Sequence, residues 1–235
     1  MLLNTEFMLK TFLMSFKAIP VTLEITAISL FLSIIPAYGI ARCRMKKHGI
    51  GSRLCSVYVS YMRGTPILLQ ILLVYSLLPS ILNVFFMKVK PSVNIFDLNP
   101  IIYAFVVFTL NTIATLSEVF RSALLSIDKG QYEAALCAGL SHGQAYLRIV
   151  IPQALVSAVP NICNLTVTLI KNTSLAFLMT VKDITAVAKV QASYGFNYIE
   201  AYLDIFVIYI IVCSVVQMIF KYVENRLSKK GVQKK

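Results

Sequence analysis

Ionisable side chains stand within or beside stretches of sequence that are otherwise apolar. Arg63, Glu118 and Lys171 are three such residues. Because a charged group in a membrane costs free energy, it is usually retained for a function such as a substrate or ion path. We therefore predict that these residues help to form a translocation path. Neighbouring polar residues extend the prediction to Thr65, Asn172, Thr173 and Ser174.

A structural role is the alternative for each of these residues. Glu118 and Arg121 are three positions apart and can pair on one face of a helix. Arg63 can anchor a helix end near the cytoplasmic interface. The hydroxyl and amide groups can instead hydrogen-bond between membrane helices.

Catalytic and metal-binding motifs do not occur in the sequence. No glycine is followed by lysine, which excludes a GxxxxGK[ST] phosphate-binding loop, and neither HExxH nor GxSxG is found. The five cysteines form no CxxC pair and the two histidines are far apart, so we expect neither a disulfide nor a metal site. We predict that the chain is not an enzyme and holds no cofactor. If ATP drives its function, a partner subunit must bind the ATP.

The elements that must position these residues are membrane helices. Hydrophobic residues make up 58% of the chain and charged residues 14%, against about 25% charged in soluble proteins. Residues 64–87, 98–117 and 149–170 carry no charge over 24, 20 and 22 positions. Residues 25–41 and 205–220 add shorter runs of 17 and 16. Since about 20 apolar residues in a helix cross a bilayer, the sequence predicts an all-α membrane protein with five transmembrane helices.

The basic residues predict the orientation of these helices. The net charge is +12, but the lysines and arginines cluster beside apolar runs, which does not favour a nucleic-acid partner. The clusters after the first and last runs are expected to be cytoplasmic. This places the N-terminus outside and the C-terminus inside a multi-pass protein of the cell membrane.

The predicted organisation is one membrane domain with short flanking segments. We expect an extracytoplasmic N-terminal segment over residues 1–18, a transmembrane domain over 19–223 and a basic cytoplasmic tail over 224–235. Within that domain, helices are predicted over residues 19–41, 57–87, 101–120, 152–170 and 199–223. An outer loop is expected over 88–100, and a cytoplasmic loop over about 122–150 joins the third and fourth helices.

A polar island at residues 131–152 lies in that cytoplasmic loop, and its sequence predicts two short helices joined at a glycine. Asp128 is a suitable cap for the first helix, which Gly139 would end. Ser141 and Gln144 have the spacing of a capping box at the start of the second. Such a helix–glycine–helix arrangement between membrane spans is suited to docking a partner outside the bilayer.

The island also resembles the EAA motif of the membrane subunits of ABC importers. Its sequence gives EAA, three residues, glycine, nine residues and then IVIP, with isoleucine in place of the leucine before the proline. The residues that carry the match are Glu133, Ala134, Ala135, Gly139, Ile149 and Pro152. The resemblance implies that they couple the chain to an ATPase.

Other segments are similar to one group of these importers, the permeases for polar amino acids. The sequence RGTPILLQ at residues 63–70 resembles their RGTPLLVQ signature, and KNTSL at 171–175 resembles their K-D/N-T-S-L segment. EVFR at 118–121, KGQ at 129–131 and IPQAL at 151–155 match segments around the EAA loop. The resemblance covers nearly the whole chain.

This resemblance implies a type I ABC importer permease fold with cytoplasmic coupling helices. The implied partners are a second permease subunit (identical or homologous), a cytosolic ABC ATPase dimer that binds ATP, and an extracytoplasmic amino-acid-binding protein. Two other functions stay open at the level of sequence. An ion-coupled secondary transporter would need no ATPase, although we find no internal repeat of the kind such carriers show. A scaffolding protein would use the same loop without transporting anything.

Overall fold

The computed structural model describes residues 3–46, 49–89 and 98–232, and over these residues the chain is helical with no strand. The helices are α1 (Thr5–Phe16), α2 (Ile19–Met45), α3 (Ile50–Gly64), α4 (Ile67–Val89), α5 (Ile101–Leu125), α6 (Lys129–Cys137), α7 (His142–Ala145), α8 (Ile151–Thr173), α9 (Ile184–Gly195) and α10 (Tyr198–Val232). A π-helical turn, Tyr146–Val150, joins α7 to α8, and a 3-10 turn, Ala176–Met179, follows α8.

Five helical stretches are long and apolar enough to cross a membrane, as the sequence predicts. They are Thr5–Met45, Ile67–Val84, Ile101–Leu125, His142–Thr173 and Tyr198–Leu227. The first combines α1 and α2, and the fourth runs from α7 through the π turn to the end of α8.

Close packing of α2 against α5 forms the centre of the bundle. The buried face of α2 carries small side chains, among them Ser29, Ser33 and Ala37, which let the two backbones approach each other. The Ser33 hydroxyl donates to the Thr109 carbonyl of α5 at 3.1 Å, so the contact includes an interhelical hydrogen bond. α8 packs against α5 and α10 on either side, which leaves α5 and α8 adjacent along their length.

The predicted second helix over residues 57–87 is wrong, because two helices occupy this region. α3 ends at Gly64 and α4 begins at Ile67, with Thr65 extended at φ −111° and ψ 143°. A proline disfavours helical backbone in the residue before it and has no N–H to continue the helix, so Pro66 imposes the break. The Gln70 side chain donates to Thr65 Oγ1 at 2.9 Å and to the Met62 carbonyl at 2.8 Å, which satisfies acceptors at the break.

The ends of the chain add helices beyond the predicted boundaries. α9 lies between the fourth and fifth spans and was not predicted, and α10 continues to Val232, so most of the predicted basic tail is helical. α1 packs on both α9 and α10. Parts of four predicted features fall outside the described residues: residues 1–2 of the N-terminal segment, the outer loop at 90–97, Lys47 and His48 in the basic cluster after the first run, and 233–235 of the tail.

The candidate coupling elbow and translocation groove

The polar island folds as predicted into two helical pieces joined at Gly139, and we call residues 128–150 the elbow. Asp128 caps α6, its side chain accepting from the Gly130 N–H at 2.7 Å. At the other end the Gly139 N–H donates to the Leu136 carbonyl and the Leu140 N–H to the Ala135 carbonyl. This pair of bonds is the Schellman arrangement, which places a left-handed residue at the turn. Gly139 is this left-handed residue, with φ +84°.

A capping box starts the second half of the elbow, which confirms the prediction for Ser141. Its hydroxyl accepts from the Gln144 N–H at 3.4 Å, and the Gln144 side chain accepts from the Ser141 N–H at 3.0 Å. The helix then passes through the π turn into α8. Pro152 has no N–H for the Arg148 carbonyl, and the helix widens into the π turn just before it. The second half of the elbow and the fourth span are therefore one continuous helical element.

Exposure divides the predicted coupling residues into two groups. Glu133, Ala134, Gly139 and Pro152 are exposed, and Ile149 is half-buried. Ala135 is 7% exposed, so it does not share the exposed surface of α6 with Ala134. The physical reason is that Ala135 faces the body of the protein, where its small side chain lets α6 lie close to the helices beneath. The exposed face of α6 is the surface left for a partner.

An aromatic cluster holds the elbow against the membrane helices. The Tyr132 hydroxyl and His142 Nδ1 are 2.8 Å apart, which joins α6 to α7 across the glycine. Tyr132 also packs edge-on against Tyr146 at 6.3 Å between ring centroids, and the Arg42 guanidinium at the end of α2 lies 4.5 Å from the Tyr146 ring centroid. These contacts link the two halves of the elbow to each other and to α2. They were not predicted, because the sequence does not show which aromatic residues meet.

A groove of about 260 Å³ lies between α5 and α8. Seven of the ten residues that line it are polar, and none is charged. The polar residues are Asn111, Thr112, Thr115, Asn161, Asn164, Thr168 and Asn172. Amide and hydroxyl groups can both donate and accept hydrogen bonds, so they suit a small polar solute in a membrane. Of the predicted path residues, only Asn172 lines this groove.

An ion cluster centred on Glu118 adjoins the groove, whose lining includes the next residue, Val119. Glu118 forms a close pair with Arg44, accepts from Arg121 Nε at 3.0 Å, and lies 3.6 Å from the Arg63 guanidinium. The predicted pairing of Glu118 with Arg121 is therefore confirmed. Arg44 was assigned to the cytoplasmic loop by sequence and was not expected here. The cluster connects the ends of α2 and α3 to α5.

The remaining predicted path residues are dispersed. Lys171 and Ser174 border a different surface, beside Tyr202 and Tyr209 of α10. Thr173 is fully buried and its hydroxyl donates to the Ile170 carbonyl of its own helix at 2.7 Å. Thr65 lies at the break between α3 and α4. The structure therefore does not bring these four residues together.

The groove residues that sequence reasoning missed do have a signal in the sequence. Asn161, Asn164, Thr168 and Asn172 recur at intervals of three and four, which places them on one face of α8. Asn111 and Thr115 have the same spacing on α5. Such a stripe of uncharged polar residues along an apolar helix marks both walls, but only Asn172 of the stripe was predicted, because the predicted polar residues were those next to charged ones.

Comparisons with known proteins agree with this architecture. Residues 29–229 match the family model described as binding-protein-dependent transport system inner membrane component. The chain is 33% identical to the L-cystine transport system permease protein TcyL of Bacillus subtilis, over 90% of this chain and 86% of that one. It is also 33% identical to the probable amino-acid ABC transporter permease protein PatM of Vibrio harveyi, over 97% and 98% of the two chains.

Solved structures share the fold. A chain from the crystal structure of an amino acid ABC transporter with histidines superposes with a TM-score of 0.80 at 24% identity, covering 96% of this chain and 100% of that one. A chain of the MetNI methionine ABC transporter in an inward-facing conformation gives 0.70 at 16% identity, covering 91% and 96%. The fold is thus that of an ABC importer permease. Together with the family match, it establishes that the chain belongs to the inner membrane components of binding-protein-dependent transport systems.

Proposed function

We propose that this chain is the membrane-spanning subunit of an ATP-driven importer for polar amino acids. The observation that carries the proposal is the continuity of one helical element from the elbow to the groove. Residues His142–Thr173 form a single helical stretch, whose first turns belong to the elbow and whose later turns line the groove. A displacement of the elbow by a partner is therefore transmitted along the backbone to the wall of the groove.

The proposed energy source is a pair of cytosolic ATPase subunits that dock on the exposed face of α6. Glu133, Ala134 and Gly139 are the contact residues we assign to this surface, and Ile149 and Pro152 are assigned to its junction with α8. ATP binds to the partner, since this chain has no phosphate-binding loop. The inner ends of α2 and α10 carry the basic clusters, which supports an elbow on the cytoplasmic side and an N-terminus outside.

The proposed substrate path is the α5–α8 groove, with the Glu118 cluster beside it. Its amide and hydroxyl lining supports a polar solute of amino-acid size, and amino-acid permeases among the relatives support the substrate class. A second permease subunit, identical or homologous, completes the path, and an extracytoplasmic binding protein supplies the substrate. Arg63, Thr65, Lys171, Thr173 and Ser174 remain predictions for the path that the groove does not include.

Co-purification tests the coupling part of this proposal. The tagged chain is purified from its own membranes in mild detergent, and the proteins that remain bound are identified and assayed for ATPase activity. We expect a P-loop ATPase in a fixed ratio to the permease, with retention reduced at least tenfold by Glu133→Ala. Glu6→Ala is the matched control, because Glu6 is an exposed glutamate of α1, outside the elbow.

Reconstitution into liposomes then tests transport. The purified complex, its binding protein and internal ATP should drive uptake of radiolabelled polar amino acids, and the panel member taken up identifies the substrate. Recovery of the chain with no ATPase, or uptake that follows an ion gradient without ATP, would reject the proposal in favour of an ion-coupled carrier. None of the comparisons favours that alternative.

A further inference from the structure

Asp204 is a buried acidic residue in the last membrane span that the transport mechanism above does not use. It lies in the candidate span Tyr198–Leu227 and is 4% exposed. Its Oδ2 atom is buried without a hydrogen-bond partner. Removing an unpaired carboxylate from water costs several kcal/mol, so a buried carboxyl group in this position requires either a partner or a proton.

Two further unpartnered groups lie on α1, which packs against α10. Thr11 and Ser15 are 1% and 0% exposed, and neither hydroxyl oxygen has a hydrogen-bond partner. The spacing of four residues places both on one face of α1. This arrangement is unusual, because buried polar side chains in proteins are almost always hydrogen-bonded.

The apolar clusters around these residues bring them to the same level of the bundle as Asp204. Phe7 of α1 packs in one cluster with Ala201 of α10, and Ala18, just after α1, packs in another with Ile208; residues of α9 belong to both clusters. Thr11 and Ser15 lie between Phe7 and Ala18 in the sequence, and Asp204 lies between Ala201 and Ile208. The two apolar contacts therefore bracket a polar layer made of two hydroxyls and one carboxyl group.

Among the described residues, no cation forms an ion pair with Asp204, and every ion pair involves Glu118. The charged groups of the elements that surround Asp204 are engaged or exposed. Glu6 and Lys10 of α1 and Lys17 just after it are exposed, as is Lys182 just before α9. On α8 Lys171 is exposed and borders the surface beside Tyr202 and Tyr209 of α10. On α9 the Lys189 ammonium lies 3.9 Å from the Phe177 ring centroid, and on α10 Glu200 accepts from the Asn4 N–H at 3.2 Å. Asp183, the cap of α9, accepts from the Ala186 N–H at 2.9 Å.

We propose that Asp204 carries a proton at neutral pH and is hydrogen-bonded through one water molecule to the Thr11–Ser15 face of α1. A neutral carboxyl group removes the cost of a buried charge, and its O–H can donate to a bridging water that also bonds the two hydroxyls. A single water can bridge such groups where they are not in direct contact. The bond ties the N-terminal helix to the outer end of the last span, and it is independent of the proposed transport function.

Infrared difference spectroscopy of the purified complex at neutral pH tests this proposal. A protonated carboxyl group has a carbonyl stretch that an ionised carboxylate lacks. We expect that band in the wild type and its loss in Asp204→Asn. Glu200→Gln is the matched control, since Glu200 is also a buried acid, one turn earlier on the same helix. Unlike Asp204 Oδ2, its carboxyl group has a hydrogen-bond partner, the Asn4 N–H, so this variant should retain the band.

Two further measurements keep the proposal testable if a variant assembles poorly. Wild-type protein with carbon-13 in its aspartate carboxyl groups must show an isotopic shift of the protonated band. Thermal melting in sodium chloride and in choline chloride should give the same Tm for the wild type. Absence of the protonated band, its persistence in Asp204→Asn, or a sodium-dependent rise in Tm that Asp204→Asn abolishes would overturn the proposal. The last result would indicate a cation in place of the proton.

Discussion

At the scale of single residues, Gly139 is constrained by backbone conformation and not by space. A Cβ atom added there meets nothing within 4 Å, but φ is +84°, where β-branched residues are strongly disfavoured. We expect Gly139→Val to cost about 1–3 kcal/mol locally and to reshape the elbow. The subunit should still insert and melt cooperatively, while ATP hydrolysis and uptake become uncoupled.

Gly143 provides the control for this substitution. It also has open space around it and belongs to the same elbow, but its φ does not lie in the left-handed region. Gly143→Val should therefore keep coupled uptake close to that of the wild type. Uptake by a stably inserted Gly139→Val subunit that equals the wild-type rate would show that the left-handed turn is not needed for coupling.

Glu118 is the acidic centre of a cluster with three arginines, and its removal leaves their charges facing one another. The side chains of Glu118 and Arg44 are 18% and 15% exposed, so water screens this pair only in part. We expect Glu118→Gln to destabilise the subunit by about 1–3 kcal/mol, measured as a lower Tm in detergent. Arg63→Gln is the comparison, because Arg63 is 52% exposed and should cost little. Equal losses of Tm in the two variants would contradict this ranking.

At the scale of elements, signals for helix caps and turns predicted the elbow correctly, whereas hydropathy predicted one helix where the structure has two, α3 and α4. Asp128, Gly139 and Ser141 act through their own backbone neighbourhood, so their caps and turns follow from sequence. Pro66 carries an equally local signal for a helix break, but hydropathy over residues 64–87 masked it. The Gln70 side chain that satisfies the break and the Asn111 amide that donates to Gln70 at 3.0 Å depend on packing between α4 and α5. No local pattern reveals such contacts.

The cap of α9 makes the stability of this element depend on pH. Asp183, which lies outside the five candidate spans, is fully buried, and burial raises its pKa to about 6 despite hydrogen bonds from the Thr185 and Ala186 N–H groups. Because the folded state binds the Asp183 proton more tightly than the unfolded state does, protonation of Asp183 stabilises the fold. This stabilisation is complete below about pH 4 and is lost as the pH rises to about 6. The loss amounts to roughly 3 kcal/mol at 1.36 kcal/mol per unit.

Melting curves of the wild type and Asp183→Asn measure this dependence. Asparagine also caps helices well and does not titrate in this range, so the variant keeps the element and removes the proton equilibrium. The Tm of the wild type relative to that of the variant should fall between about pH 4 and pH 6. A difference in Tm that is constant across this interval would show that Asp183 does not titrate there.

At the scale of the whole molecule, the elbow and the groove are two ends of one helical element, and this relation links partner docking to the substrate path. Five spans and the long loop between the third and fourth of them followed from the spacing of apolar runs, which is a property of the chain alone. The groove did not follow from it, because its walls belong to α5 and α8, which are separated in sequence by the elbow. Placing the two polar stripes face to face required the packing of α2 against α5 and of α5 against α8.

The groove gives the most direct test of the transport path. Replacing Asn164 with leucine and Thr168 with valine removes hydrogen-bonding groups from the α8 wall at nearly constant volume. Each lost bond to a solute is worth about 1–3 kcal/mol, and 1.4 kcal/mol corresponds to a factor of ten. We therefore expect the double variant to reduce the kcat/KM of uptake at least tenfold in liposomes, with ATPase co-purification unchanged. Lys171→Met is the comparison, because Lys171 is a predicted path residue that borders the separate surface beside α10. If the groove alone forms the path, uptake by Lys171→Met should stay within twofold of the wild type. A loss of uptake in Lys171→Met with normal uptake in the double variant would move the substrate path from the groove to the surface beside α10.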